Sequence, residues 1–316
     1  MCDTVMRASI LSAATAREVS RSMTHAAQPG ILEEIPAVAR FLEFDLAPDA
    51  QPRAALKAVA RLVDGKNVVM GVGASLANKL GKPIAGLDAF PAFSGDGVNI
   101  PSTPTALWFW LRGDDRGALV LRARAIGHAL SSVFTLVRSN DAFRFAGGRD
   151  LSGYEDGTEN PRDERALQVA LVPDGAAGMI GASFVAVQQW QHNLDHFESL
   201  SQKDRDHVIG RRRRDNQEIK SAPPSAHVKR TAQESFDPTA FVLRRSMPWN
   251  DGERHGLVFI AFGATLTPYE MLLQRMTGQD DGILDGLFRF TRPITGAYYW
   301  CPPLRNGKVD LRAIGL

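Results

Sequence analysis

Val68-Val69-Met70-Gly71-Val72-Gly73-Ala74-Ser75-Leu76 and Val258-Phe259-Ile260-Ala261-Phe262-Gly263-Ala264-Thr265-Leu266 set the fold expectation. Each opens as a buried strand, an apolar run that ends on glycine. Beyond the glycine the two continue in register, as Ala-Ser-Leu and Ala-Thr-Leu. A repeated strand-glycine-turn grammar points to a duplicated α+β unit. The alternative is a chance likeness between two ordinary strand-turn elements. Gly71-Val72-Gly73 also starts a dinucleotide-binding fingerprint, but Leu76 stands where its third glycine belongs. Without that glycine a helix cannot pack closely on the strand, which excludes a Rossmann site.

Outward from these runs the same alternation holds. Ala55, Leu56, Val59, Ala60, Leu62 and Val63 recur at helical spacing, which predicts a helix over 50–63 and a turn at Asp64-Gly65-Lys66-Asn67. Leu107-Trp108-Phe109-Trp110-Leu111 predicts a strand, and a helix is expected near 117–138. In the second half a strand is expected over 184–190, a polar helix over 194–209 and an amphipathic helix over 268–276. The chain divides into a tail over 1–27, a first half over 28–150 and a second over 151–316.

Composition narrows the function. The 316 residues are 44% hydrophobic and 23% charged, a globular balance that rules out wholesale disorder. A net charge of +2 gives no basic excess for a dedicated nucleic-acid binder. Only Cys2 and Cys301 occur, too few for a disulfide framework, a four-thiolate zinc site or a Cys-x-x-Cys-His haem attachment. Neither a membrane-spanning run nor a secretory signal is apparent, so a cytoplasmic protein without a membrane partner is expected. His192 and His196 lie four apart, but Asn193 replaces the glutamate a zinc protease needs, and both read as solvated. Arg211-Arg212-Arg213-Arg214 has no interleaved aromatics and reads as a solvated helix end.

Gly153-Tyr154-Glu155-Asp156-Gly157-Thr158-Glu159-Asn160-Pro161 carries more. Its turn-forming residues read as a surface loop that presents a carboxylate among flexible backbone N–H groups. This nonapeptide resembles the Gly-x-x-Asp-Gly signature of dye-decolourising peroxidases. Three later stretches resemble the same family in order: Ser225–Arg230, Phe241–Pro248 and Phe288–Tyr299. The resemblance runs from about Gln28 to near the C-terminus, and the compact length is similar to the shorter bacterial group.

The resemblance implies an α+β fold of two ferredoxin-like halves, each an antiparallel sheet with helices, as in the dimeric α+β barrel superfamily. It implies one non-covalent haem b per chain, held mainly by the second half, and a haem peroxidase that oxidises dyes, phenols or other organic donors. His227 is then the axial ligand of the haem iron. Asp285 is nominated as the carboxylate on its other ring nitrogen, with Asp280 and Asp281 as rivals. On the peroxide side Asp156 would move a proton. Arg244 would contact the haem site and stabilise charge on the departing oxygen. Gly157 and Thr158 would shape the haem wall, and Ser246 would position a water from the same face as Arg244. Arg245 would alternate outward into a surface ion pair. Hydrogen peroxide and an organic reductant are the expected partners, in a homo-oligomer. Leu316 follows soon after Tyr298-Tyr299, so no tail for targeting to an encapsulating shell is expected. The rival readings are a haem-handling protein with incidental peroxidase activity and a haem-free ferredoxin-like interaction module.

Overall fold

The computed structural model describes residues 23–95 and 97–316. Its first half supplies β1 (Val38–Leu46), β2 (Val68–Val72), β3 (Phe93–Gly95), β4 (Val98–Ile100), β5 (Leu107–Gly113) and β6 (Phe134–Phe143). The second half supplies β7 (Ser183–His192), β8 (Leu243–Arg244), β9 (Met247–Asp251), β10 (Arg254–Gly263), β11 (Thr291–Pro293) and β12 (Ala297–Cys301). β3 and β4 pair as a hairpin of their own, as do the short strands Leu304–Arg305 and Lys308–Val309, while the ten remaining strands join in one antiparallel sheet.

Within that sheet the first half runs β2-β5-β1-β6 and the second β12-β7-β10-β9. Counted in chain order, the first reads 2-3-1-4 and the second 4-1-3-2, the same ferredoxin-like arrangement seen from either edge. β8 extends the β9 side of β10, and β11 extends the β12 side of β7. The halves meet at two narrow seams, Trp300 opposite Val72 and Ala142 opposite Trp249. The β7–β10 pairing closes the sheet into a barrel. The fold is thus duplicated, but not where the sequence likeness placed it. β2 is the second strand of its half and β10 the third, so their shared Gly-Ala-Ser/Thr-Leu joins non-equivalent elements.

Strand alternation sorts the core into two layers. Trp108 and Trp110 of β5 pack with Phe41, Phe262 and Tyr299 in the cluster enclosed by the barrel. Leu107, Phe109 and Leu111 join the other cluster, under the helices Arg53–Val59 and Arg116–Leu130.

Four expectations need correction. The helix expected to 138 stops at Leu130, and Phe134–Phe143 is β6. The segment over 194–209 is two helices, Leu194–Ser199 and Gln202–Ile209, because the Ser201 side chain accepts from Asp204 N and caps the second. The helix expected over 50–63 is α-helical only over Arg53–Val59 and tightens to 3₁₀ at Ala60–Leu62. The expected tail lies outside the described residues only to 22, since Met23 and Ala27 are buried in the barrel cluster.

Candidate active site

One cavity of about 480 Å³ lies against the outer face of the second half. β7 contributes Gln188, Trp190 and His192 to it, alternate residues that share a face. β10 contributes Leu257 and Phe259, and the helix Thr267–Met276 covers them with Tyr269, Leu272, Leu273 and Met276. The side formed by sheet and helix is therefore largely apolar, and most of the polar lining comes from the loops.

His227 opens a short helix, His227–Arg230, and its ring lines the cavity. Its Nδ1 lies 2.8 Å from Asp285 Oδ2. Asp285 is buried, and its other oxygen accepts from Leu287 N at 2.8 Å, capping the 3₁₀ turn Gly286–Arg289. Gly286 N donates to Ser225 O at 2.6 Å and stitches the two segments together. A Cβ at Gly286 would lie 3.0–3.1 Å from Val208 O and Ser225 O, tight enough to disturb that join. The rival acids are engaged elsewhere, Asp281 with Arg230 at 2.7 Å and Asp280 with Arg275 at 3.6 Å. With Nδ1 held by a carboxylate, Nε2 is the ring nitrogen left for a metal.

Asp156, Thr158 and Arg244 line the same cavity. Arg244 Nη1 stands 3.4 Å from Asp156 Oδ1. Asn160 fixes the Arg244 backbone from both sides, donating from Nδ2 to its carbonyl at 3.0 Å and accepting its N–H on Oδ1 at 2.8 Å. Gly157 makes room for this: its φ is +73°, and a Cβ there would sit 2.7 Å from Asn160 Nδ2. Thr158 Oγ1 accepts from Asn216 Nδ2 at 3.0 Å. Gly157, Ser246 and Asp285 stand behind the lining rather than in it.

The expectations for Ser246 and Arg245 hold only in part. Pairing with β10 stays in register from β8 to β9, with Arg244 opposite Ala261, Met247 opposite Val258 and Arg245 N donating to Ile260 O, so alternation holds and Arg245 faces away from Arg244. Ser246 is buried outside the cavity lining, with its hydroxyl unpartnered among the described residues. Arg245 makes no ion pair among the described residues. It donates instead to the carbonyls of Ile31 and Leu32, at 3.2 and 2.6 Å. Burial and the nearby Arg112 pull its guanidinium down to about 10.

Sequence reasoning also missed a buried pair. β7 runs on to His192, which is 7% exposed and lines the cavity, whereas His196 is exposed on the next helix. His192 Nε2 meets Asp150 Oδ1 at 2.9 Å, and Nδ1 meets Thr291 Oγ1 at 2.7 Å. Burial opposes ionisation of Asp150, but His192 and Ser152 hold its carboxyl below the usual range. Position 192 continues the alternation of 188 and 190, the one available signal that it faces inward. The arginine run likewise differs from a solvated helix end. The helix stops at Ile209 with Gly210 left-handed, and Arg211 turns into the cavity wall, 2.6 Å from Glu159.

An apolar bed beside an imidazole with one nitrogen on a carboxylate and the other free, facing an arginine–aspartate pair, suits an iron porphyrin, which needs a broad apolar bed and a nitrogen ligand. Residues 147–306 match the family model described as Dyp-type peroxidase, C-terminal. A dye-decolorizing peroxidase of Mycobacterium tuberculosis (strain ATCC 25618 / H37Rv) is 30% identical over 247 residues, 75% of this chain and 73% of that one. Another, from Brevibacterium linens, is 29% identical over 76% of this chain and 67% of its own. The dye-decolorizing protein from V. cholerae superposes with a TM-score of 0.79 at 29% identity, covering 86% of this chain and 96% of that one. A DypB variant from Rhodococcus jostii RHA1, solved in complex with heme, gives 0.78 at 28% identity over 86% and 94%. Sequence, family model and fold agree on a single placement: the chain belongs to the dye-decolourising peroxidase family and is a haem-dependent peroxidase.

Proposed function

We infer that one haem b per chain binds without a covalent link in the cavity beside His227, whose Nε2 would hold the iron. The observation that carries this is the 2.8 Å contact between His227 Nδ1 and the buried Asp285, which leaves one nitrogen of a cavity-lining imidazole free to ligate. The haem iron supplies the redox chemistry with hydrogen peroxide. This chain's own groups manage charge and protons around it.

Arg244 stays cationic and draws in the peroxide, then steadies negative charge on the departing oxygen. Asp156, 3.4 Å away, takes a proton from one peroxide oxygen and returns it to the other. Asn160 is a positioning residue that holds Arg244 through its backbone, and Gly157 gives Asn160 its room. Asp285 keeps the imidazole oriented and electron-rich. Organic donors such as dyes and phenols then return electrons one at a time.

The proposal extends to the two halves as units over 28–150 and 151–316, and to a cytoplasmic homo-oligomer. Exposed Leu121, Leu136 and Val137 on the first half support self-association. Among the described residues no helix is long and apolar enough to cross a membrane.

Stopped-flow spectra of the haem-loaded protein test the assignment. One equivalent of peroxide should change the haem spectrum promptly in the parent and slowly in Arg244→Leu. A haem-handling protein would bind the porphyrin with no prompt change, and that result would overturn the reading.

A further inference from the structure

The loop that carries Asp156 is tied to the sheet at both of its ends. Downstream, Asn160 grips the backbone of Arg244 on β8. Upstream, Asp150 Oδ1 meets His192 Nε2 at the end of β7, at 2.9 Å. β7 and β8 pair with opposite edges of β10, so Asp156 hangs on a stretch of chain strung between strands on either side of it. Between the two ties the carboxylate itself has little to hold it. Among the described residues Arg244 is its one side-chain partner, at 3.4 Å, and its backbone N–H reaches Gly148 O only at 3.4 Å. Other side-chain bonds of the loop run outward, from Tyr154 to Asp206 and from Asn216 to Glu155 and Thr158.

The upstream tie is built to hold one geometry. His192 is buried with both ring nitrogens occupied, since its Nδ1 lies 2.7 Å from Thr291 Oγ1 on β11. Asp150 is occupied as fully. Its Oδ1 faces the imidazole, and its Oδ2 accepts from Ser152 N at 2.9 Å. Its backbone closes the turn beyond, with N donating to Tyr154 O at 2.9 Å and O accepting from Gly153 N at 2.8 Å. One carboxylate therefore fastens the turn over 150–154 both to itself and to the sheet. No arginine or lysine pairs with Asp150 among the described residues. Loss of the imidazole would strand a largely buried acid, which regains hydration by swinging toward solvent and taking the turn with it. Asp156 follows two residues after that turn.

We propose that His192 is a positioning residue for the peroxide reaction: through Asp150 it seats the Asp156 loop on the sheet and so sets where the Asp156 carboxylate stands opposite Arg244. This rests on the proton transfer assigned to Asp156. His192 itself exchanges no proton in that step. A carboxylate that moves a proton between two peroxide oxygens must stand within hydrogen-bond reach of each, and a displacement of about 1 Å can cost on the order of 10²-fold in rate. Asn160 and His192 then share one task from two strands, the first locating Arg244 and the second Asp156.

Hydrogen exchange of the haem-loaded protein reads the tie without any reaction. In His192→Leu the amides over 150–156 should exchange about tenfold faster, with the rest of the sheet unchanged. His192→Gln, whose amide still donates to Asp150, should exchange like the parent. Asp150→Asn keeps the bulk of the acid but turns one of its two acceptors into a donor, so it should loosen the same amides and leave the imidazole in the cavity wall. Stopped-flow mixing with peroxide reads the consequence. His192→Leu should react about tenfold more slowly than the parent, yet within about twofold of Asp156→Asn when added to that variant, because the tie then has nothing left to position. Equal slowing in the two backgrounds would mean a general effect on the cavity and overturns the proposal. Unchanged exchange over 150–156 in both His192→Leu and Asp150→Asn overturns it as well. If Asp156→Asn alone reacts as fast as the parent, the reading of Asp156 falls and the positioning role with it, while the exchange still decides the tie.

Discussion

The two halves of the barrel share one strand order and differ in what lies between sheet and helices. In the first half Leu42, Phe44, Leu56, Val59, Leu119 and Ile126 fill that space completely. In the second half the space between β7, β10 and the helix Thr267–Met276 stays open as the cavity. The crossovers explain the difference. The first half returns from β1 to β2 through residues 47–67, whereas the second takes residues 193–242 to pass from β7 to β8. That longer path brings Arg211, His227 and Gln233 to the cavity wall and keeps the layer from collapsing onto the sheet. A cofactor site has been made by lengthening a connection, with the strand order untouched.

Substitutions in the two layers can break this comparison. The largest effect is expected from His227→Ala, which should abolish stable haem binding, read as loss of the Soret band after reconstitution. Asp285→Asn should retain haem with affinity lower by roughly 10–100-fold. A full haem complement with an unchanged axial spectrum in His227→Ala would remove the site from this half. Next, Arg244→Leu should slow the peroxide reaction by on the order of 10²–10³. Asp156→Asn should cost less. A larger loss in Asp156→Asn would make the carboxylate the principal group.

Packing gives the third contrast. Leu56→Ala in the filled layer should cost about 2–5 kcal/mol in denaturant unfolding and leave haem affinity alone. Leu272→Ala, whose side chain faces the cavity, should cost less stability in the haem-free protein and weaken haem binding. The smallest effect is expected at Asp141, whose carboxylate accepts from Arg40 at 2.5 and 2.8 Å and from Arg116. The bond from Arg40 holds its carboxyl below the usual range, so its stabilisation is full above the unfolded value of ~3.9 and is lost as pH falls through the lower folded value. Asp141→Asn should therefore cost about 1 kcal/mol at neutral pH. Unfolding curves of parent and variant should converge in acid.

These contrasts also mark how far the sequence was legible. Apolar strand runs such as 68–72 and 258–262 state their conformation locally, and the structure keeps both. The spacing of Leu130, Phe134 and Val137 continues a helical period across Ser131-Ser132-Val133, which carries the expected helix into the first half of β6. β6 itself carries little apolar alternation, since much of it is exposed. At the site, Asp156, Arg244 and His227 could be named only through the family resemblance, because nothing in their spacing brings them together. The Asp150–His192 contact spans 42 residues and depends on the sheet register, so no local pattern announces it. Alternation places Ser246 and Arg245 on opposite faces, but it cannot announce that Ser246 stops short of the cavity or that Arg245 meets backbone carbonyls instead of an acid.

The narrow seams at Trp300–Val72 and Ala142–Trp249 bear on biosynthesis. As the chain leaves the ribosome, β2, β5, β1 and β6 can complete their sheet before any of β7 to β12 exists. β2 and β6 then stand as bare margins, with backbone donors and acceptors open to any passing strand. Their proper neighbours arrive later, β9 first and β12 after a further stretch of chain. A nascent chain stalled between the two would be sticky along both margins, which makes the last strands the step that renders the newborn protein inert toward its neighbours.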